Sequence, residues 1–220
     1  DRKFQDCSFI FQNKNNIEAL FTGAIIDNVL YSHPGASFGG FVYNELSFES
    51  SSKIVDLLVD FAQQNNLKEI IIIPTPFIYY NQYNEIMEYC LYIKGCNIIE
   101  YYISSFVDLE TNLLEQMHNR KKRYIKKMED KIDIQLSTDL DSFYPILISN
   151  KLKHKAKPTH TLEELKILMK KFPDQIKLLL SYQDNKIIGG ALNFITNQNS
   201  CILFYNMIDY EYQNLQIASL

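Results

Sequence analysis

Residues 150–194 read NKLKHKAKPTHTLEELKILMKKFPDQIKLLLSYQDNKIIGGALNF. The stretch divides into a polar loop, a capped helix and a β-hairpin. Two of the four histidines, His154 and His160, stand in the loop among Lys151, Lys153, Lys155 and Lys157. Thr161 is a helix N-cap residue, and Glu164 three positions on completes a capping box, in which each side chain accepts from the other residue's backbone N–H. Leu162, Leu165, Leu168 and Met169 then recur at helical spacing until Phe172-Pro173 stops the element. Two β-type runs, Ile176–Tyr182 and Ile187–Phe194, flank the turn sequence Gln183-Asp184-Asn185. A third run, Ser200–Met207, follows Asn197-Gln198-Asn199. The expectation is a helix followed by a three-stranded meander.

Outward from this stretch, Lys131–Ser137 reads as a strand and Leu140–Asn150 as a helix with Pro145 near its first turn. Asn112–Asp130 reads as one helix with an apolar stripe of Leu113, Leu114, Met117, Tyr124, Ile125 and Met128. That helix carries six cations in eight residues, Arg120 to Lys127. They form either a solvated face or a set of phosphate contacts. In the first half, residues 7–12 and Ile17–Ile26 read as strands about the turn Asn13–Asn16. Ser50, Ser51 and Ser52 offer caps to a helix whose face is Ile54, Leu57, Leu58 and Phe61. Glu69–Pro74, EIIIIP, suits a strand buried on both faces. Asn84–Leu91 reads as a short helix and Asn97–Phe106 as a strand. Between these lies Tyr31–Gly40, YSHPGASFGG, with three glycines and a proline in ten residues. Such a path needs positive φ or close backbone approach. It either lines a substrate cleft or only permits a tight crossover.

The pattern of Asn150, Lys153-His154 and a KPTH-capped helix, then FPD, strand, turn and an IGG strand resembles the second domain of the FemABX-like branch of the GNAT acyltransferase superfamily. The segment SHPGASFGG resembles the signature of that branch's first domain. The cationic run Arg120–Lys127 is similar to the helix that joins its two domains. The resemblance implies an α/β (α+β) chain of two GNAT-like domains, 1–111 and 112–220, with mixed, mostly antiparallel sheets flanked by helices. The second copy reads as incomplete at its C-terminal end, inside the helix that would follow the fourth strand. The implied chemistry is transfer of an activated acyl group to an amine of a cell-envelope, peptidoglycan or polysaccharide precursor. The donor is either an acyl-CoA thioester or an aminoacyl-tRNA, with no tightly bound cofactor. In GNAT folds the fourth strand often bulges and frees a backbone N–H for the donor carbonyl, and the donor diphosphate sits on the next helix. By resemblance these map to Phe204–Met207 and Gln213–Gln216. At that second place Tyr210–Leu215 carries no glycine, a departure from the acetyl-CoA pattern. The implied catalytic residues are His160, Tyr205 and His154. The implied substrate contacts are His33, Gly39, Gly40, Lys155, Asn206, Arg120, Arg123, Gln213 and Asn214, and the implied cleft between the halves is lined by His33, Gly39, Gly40, Lys155, His160 and Tyr205.

The residues themselves leave alternatives open. His160 precedes an N-cap, where a helix dipole favours the neutral base, but loop histidines also serve as surface or capping groups. Tyr205 on an apolar strand suits a core position equally, and Asp209 is a further proton carrier. There is no G-x-S-x-G, no G-x-G-x-x-G and no P-loop. A net charge of −4 offers no global field for DNA or an anionic surface. Cys7, Cys90, Cys96 and Cys201 lack metal spacing and read as reduced thiols, so no metal is expected. No apolar run approaches a membrane span. The expected setting is the bacterial cytoplasm, with peripheral membrane attachment left open. The competing classes are a catalytically silent scaffold of the same fold and a CoA-dependent small-molecule acetyltransferase.

Overall fold

The computed structural model describes residues 4–32, 34–80 and 82–215. The chain is α+β, with several antiparallel sheets, and it divides into two compact units, Asp1–Ile103 and Ser104–Leu220. No helix among the described residues is long and apolar enough to cross a membrane. The four cysteines form no disulfide.

The first unit begins as a long hairpin. Strands β1 (Gln5–Asp6) and β2 (Phe9–Asn13) run antiparallel to β3 (Asn16–Thr22) and β4 (Ala24–Ile26). Gln5 faces Ile25 and Phe9 faces Phe21, so the register carries across the gap without a slip. Ile17–Ile26 is therefore not one strand, as its composition predicts, but two, interrupted at Gly23. A Cβ on Gly23 would lie 2.8 Å from the Phe21 ring and 3.1 Å from the Cys7 carbonyl oxygen. Beyond the interruption the two ends of the hairpin pair with different partners. β4 takes β5 (Val29–Tyr31) through the turn Asp27-Asn28, both at positive φ, and β3 takes β6 (Gly40–Tyr43).

Helix α1 (Phe48–Gln64) is capped by Ser47, whose hydroxyl accepts from the Ser50 N–H, and not by the three serines that follow. Its buried face of Ile54, Val55 and Leu58 packs on Phe11, Phe21 and Leu30. β7 (Glu69–Ile71) pairs parallel to β5 at the edge of its sheet. An edge strand lacks a second ladder neighbour, so the EIIIIP run is only half-buried and Ile73 is exposed. A 3-10 turn (Phe77–Tyr79) leads to α2 (Ile86–Ile93), which buries Met87 and Cys90. Residues 97–106 form no strand, contrary to expectation. Their apolar side chains are exposed, Ile103 at 98%. β-branched and aromatic residues make a strand only where a ladder partner exists.

In the second unit the expected helix over 112–130 is two helices. α3 (Leu113–Gln116) ends at Met117, and α4 (Asn119–Met128) starts from His118, whose ring Nδ1 accepts from the Arg120 N–H. β8 (Asp133–Ser137) then leads to α5 (Leu140–Lys153), capped by Asp139. Pro145 sits at the sixth position of α5, just past its first turn. There it removes the N–H that would bond the Asp141 carbonyl. Helix α6 (Leu162–Lys171) begins with the capping box read from the sequence: Glu164 N–H donates to Thr161 Oγ1 at 3.2 Å, and Thr161 N–H donates to Glu164 Oε2 at 2.8 Å. Replacing Thr161 with alanine is expected to cost about 1 kcal/mol. Urea unfolding checks this as a lower midpoint at unchanged slope.

Strands β9 (Ile176–Gln183), β10 (Lys186–Ile195) and β11 (Cys201–Ile208) form the meander, giving the antiparallel order β11-β10-β9-β8. Asp184 and Asn185, both at positive φ, make the tight turn between β9 and β10. Leu178, Leu180 and Leu192 of the sheet meet Phe143 and Leu147 of α5 and Leu165 of α6 in the core. Asn150 is buried and donates to the carbonyls of Ile146 and Ile208, tying α5 to the end of β11.

Candidate functional site

Strand β11 does not pair evenly with β10. Leu192 faces Tyr205 and Asn193 faces Leu203, so Phe204 is an extra residue on β11. This is a β-bulge, which locally breaks the ladder and re-aims side chains. Tyr205, beside the bulge, points into the core of the second unit and is 2% exposed. Its hydroxyl meets the loop before α6. The His160 backbone N–H donates to Tyr205 Oη at 3.4 Å, and His160 Nδ1 lies 3.3 Å from the same oxygen. The Tyr144 hydroxyl of α5 donates to the His160 carbonyl oxygen at 3.1 Å. One residue of the loop is thus held by a strand and a helix at once.

Aromatic rings close around the imidazole. Phe204 lies edge-on to it at 5.3 Å, Phe194 at 6.3 Å, and these two rings stack on each other at 4.6 Å. The Lys151 ammonium lies 5.7 Å from the Tyr205 ring centroid. The chemistry follows from the tautomer. If Nδ1 carries the proton and donates to Tyr205 Oη, the phenol oxygen accepts twice and Nε2 keeps its lone pair. The arrangement is then an oriented neutral imidazole in an aromatic wall, next to a bulged strand.

Two of the residues singled out from the sequence, His160 and Tyr205, are in contact. His154 is elsewhere in the loop: it is the exposed C-cap of α5, and its N–H donates to the Lys151 carbonyl. Lys155 is exposed at φ +53°, with its N–H on the Leu152 carbonyl. Asn206 is exposed, facing Ala191 of β10 in register. Asp209 donates its N–H to the Ile188 carbonyl and accepts from the Glu211 N–H. Arg120 and Arg123 are exposed on α4, with Arg120 5.9 Å from the Tyr124 ring centroid. Gln213 and Asn214 lie in a 3-10 turn, Tyr210–Leu215, and Gln216 lies outside the described residues.

In the first unit, the loop between β5 and β6 is pinned at both ends to residues 71–73. Ser32 N–H donates to the Ile71 carbonyl, Ile73 N–H donates to Ser32 Oγ, and Gly39 N–H donates to the Ile73 carbonyl. Gly40 has φ +97°, and a Cβ there would lie 3.0 Å from Ile72 Cγ2. Gly40 therefore permits close approach of loop and strand. His33 lies outside the described residues.

Sequence reasoning did not find Tyr144, Phe194 and Phe204 as partners of His160. The signal available was the pair of phenylalanines on adjoining strands of the meander. Among the described residues, no group of three His, Cys, Asp or Glu side chains could hold a metal ion. Compared with known proteins, the sequence matches no protein-family model and no curated protein.

Proposed function

We propose that the second unit is a GNAT-type acyltransferase domain of the FemABX-like kind, the first unit a related copy, and that the chain transfers an activated acyl group to an amine. The observation that carries this reading is the His160–Tyr205 contact beside the bulge in the fourth strand of an antiparallel sheet. The order strand, two helices and three strands from β8 to β11 is that expected for the front of such a domain.

In this reading Nε2 of His160 is the general base and Tyr205 positions it. The amine lone pair attacks the acyl carbonyl carbon, forming a C–N bond while the carbonyl oxygen takes up negative charge. A backbone N–H at the bulge donates to that oxyanion. His160 removes the proton of the new ammonium centre. Collapse breaks the acyl C–S or C–O bond, and the leaving thiolate or ribose alkoxide takes the proton back from His160. The donor is acyl-CoA or aminoacyl-tRNA, and the exposed cations of α4 suit the phosphates of either. The acceptor is an amine of a cell-envelope or polysaccharide precursor, and the setting is the bacterial cytoplasm.

Thermal unfolding with acetyl-CoA and with aminoacyl-tRNA tests the reading. A donor at 100 times its Kd adds about 2.7 kcal/mol, or roughly 5–10 °C for a chain of this size. A shift with either donor supports transfer, and the donor that acts identifies the class. No shift with either favours a silent binding protein.

A further inference from the structure

The second unit presents one strongly charged helix face. Helix α4 reads NRKKRYIKKM, with six cations and no acid in ten residues, in a chain whose net charge is −4. Arg120, Arg123 and Lys127 stand at i, i+3 and i+7, so one face of the helix carries all three, with Lys126 beside them. Ile125 and Met128 lie on the opposite side, and Met128 is buried against Ile132 and Ile188. That contact turns the cationic face away from the core. Among the described residues, Arg120, Arg123, Lys126 and Lys127 have no ion-pair partner. The acids that follow the helix, Glu129 and Asp130, line an open recess with Asp133 and Asp184.

Apolar side chains stand exposed beside these cations. Phe106, Val107, Leu109 and Leu114 are each more than half exposed. Lys122 Nζ donates to the Glu115 carbonyl at 3.0 Å, which brings Leu114, one residue earlier, next to α4. Leu109 is five residues before Leu114, and five residues span at most about 18 Å. A turn shortens that span: Thr111 Oγ1 donates to the Asp108 carbonyl, and the Glu110 N–H donates to Asp108 Oδ1. Between Phe106 and Met128 three acids, Asp108, Glu110 and Glu115, stand against six cations, an excess of three positive charges. Exposed apolar groups of this kind mark contact with a protein or a membrane.

We propose that this surface docks on an anionic lipid bilayer. Phe106, Val107, Leu109 and Leu114 enter the boundary between headgroups and acyl chains, and the α4 cations meet the lipid phosphates. Binding of this kind combines buried apolar area with attraction to anionic lipid, and the surface holds side chains for both. A nucleic acid is a poorer match. Its phosphates would use the cations, but its bases stack on aromatic faces, and Val107, Leu109 and Leu114 offer none. A second copy of the same surface would set cations against cations. The docking is independent of whether the second unit transfers acyl groups.

The test is cosedimentation of the whole chain with vesicles of phosphatidylcholine alone and of phosphatidylcholine mixed with phosphatidylglycerol. The expected result is binding to the mixed vesicles, little to the neutral ones, and weaker binding as salt is raised, because exposed charges are screened. Lys126→Gln with Lys127→Gln is expected to weaken binding about 25-fold, or roughly fivefold per cation. Val107→Ser with Leu109→Ser is expected to weaken it about tenfold or more, because apolar area no longer leaves water. All four side chains are exposed, so both double variants are expected to unfold at the parent temperature. The same preparations are offered poly(U) RNA. Equal binding to neutral and mixed vesicles, no binding to either, unchanged binding in either double variant, or tighter binding of poly(U) than of the mixed vesicles would overturn the proposal.

Discussion

Replacing His160 with alanine is expected to slow acyl transfer by about 10²- to 10⁴-fold, the usual contribution of a positioned general base. That is about 3–5 kcal/mol of barrier. The loss is expected in kcat, with KM for the donor nearly unchanged, because the base acts on a proton that moves only in the transition state. Loss of the ring also removes packing against Phe194 and Phe204, so alanine alone mixes two effects. His160→Phe keeps a ring against Phe194 and Phe204 but offers no base, and His160→Asn keeps an amide donor near Tyr205 Oη but neither ring nor base. Both are expected to transfer as slowly as the alanine variant, and a slow His160→Phe assigns the loss to the base rather than to packing. Tyr205→Phe is expected to have a smaller effect, about tenfold, together with a displaced pH–rate profile. Without Oη the imidazole tautomer is no longer held, and the His160 backbone N–H loses its acceptor. Variants that lower stability but leave kcat and the pH profile unchanged would make the contact a structural one.

The largest expected effect on stability is at Gly190. The residue is buried in β10, between Leu180 of β9 and Met207 of β11 in register. A Cβ built there would lie 2.6 Å from the Leu179 carbonyl oxygen, 2.9 Å from Leu180 Cδ2 and 3.1 Å from the Phe143 ring. The first of these neighbours is backbone in the adjoining strand and cannot swing aside as a side chain does. Gly190→Ala must therefore push β9 outward or lift α5 from the sheet. The expected cost is about 3 kcal/mol, at the upper end of the usual range for overpacking, or roughly 6–12 °C in unfolding temperature. Gly95→Ala is the comparison. Gly95 has φ +89° but nothing within 4 Å of its added Cβ, so only backbone strain applies, about 1–2 kcal/mol. If Gly190→Ala were no more destabilising than Gly95→Ala, the tight contact between β9 and β10 would be wrong.

The second unit was legible in the sequence because its signals are local. The Thr161–Glu164 box, the Asp184-Asn185 turn and the alternation of β9 to β11 each involve residues a few positions apart. Most of the failures have the opposite cause. Residues 97–106 have the composition of a strand, but a strand is decided by a partner far along the chain, and here they pair with none among the described residues. The hairpin of the first unit was readable. Its interruption at Gly23, where two sheets diverge, was not, because it depends on which third strand each end meets. The break at His118 depends on a histidine acting as a cap, a role its composition does not advertise. At the candidate site, His160 was visible from its place before a helix. That Tyr205 should reach it from 45 positions away was not, since the contact rests on the path of β11 past α6.

The most direct test is product formation. The whole chain is incubated with an isotopically labelled acyl donor, acetyl-CoA in one arm and aminoacyl-tRNA in the other, and with amine-bearing envelope precursors. Mass spectrometry then follows the label into an amide, with His160→Asn run in parallel. Labelled amide from one donor is expected, with a rate at least about 100-fold lower in the variant. Labelled amide formed equally fast by both proteins, or none formed by the folded parent with any donor and acceptor, would contradict this expectation.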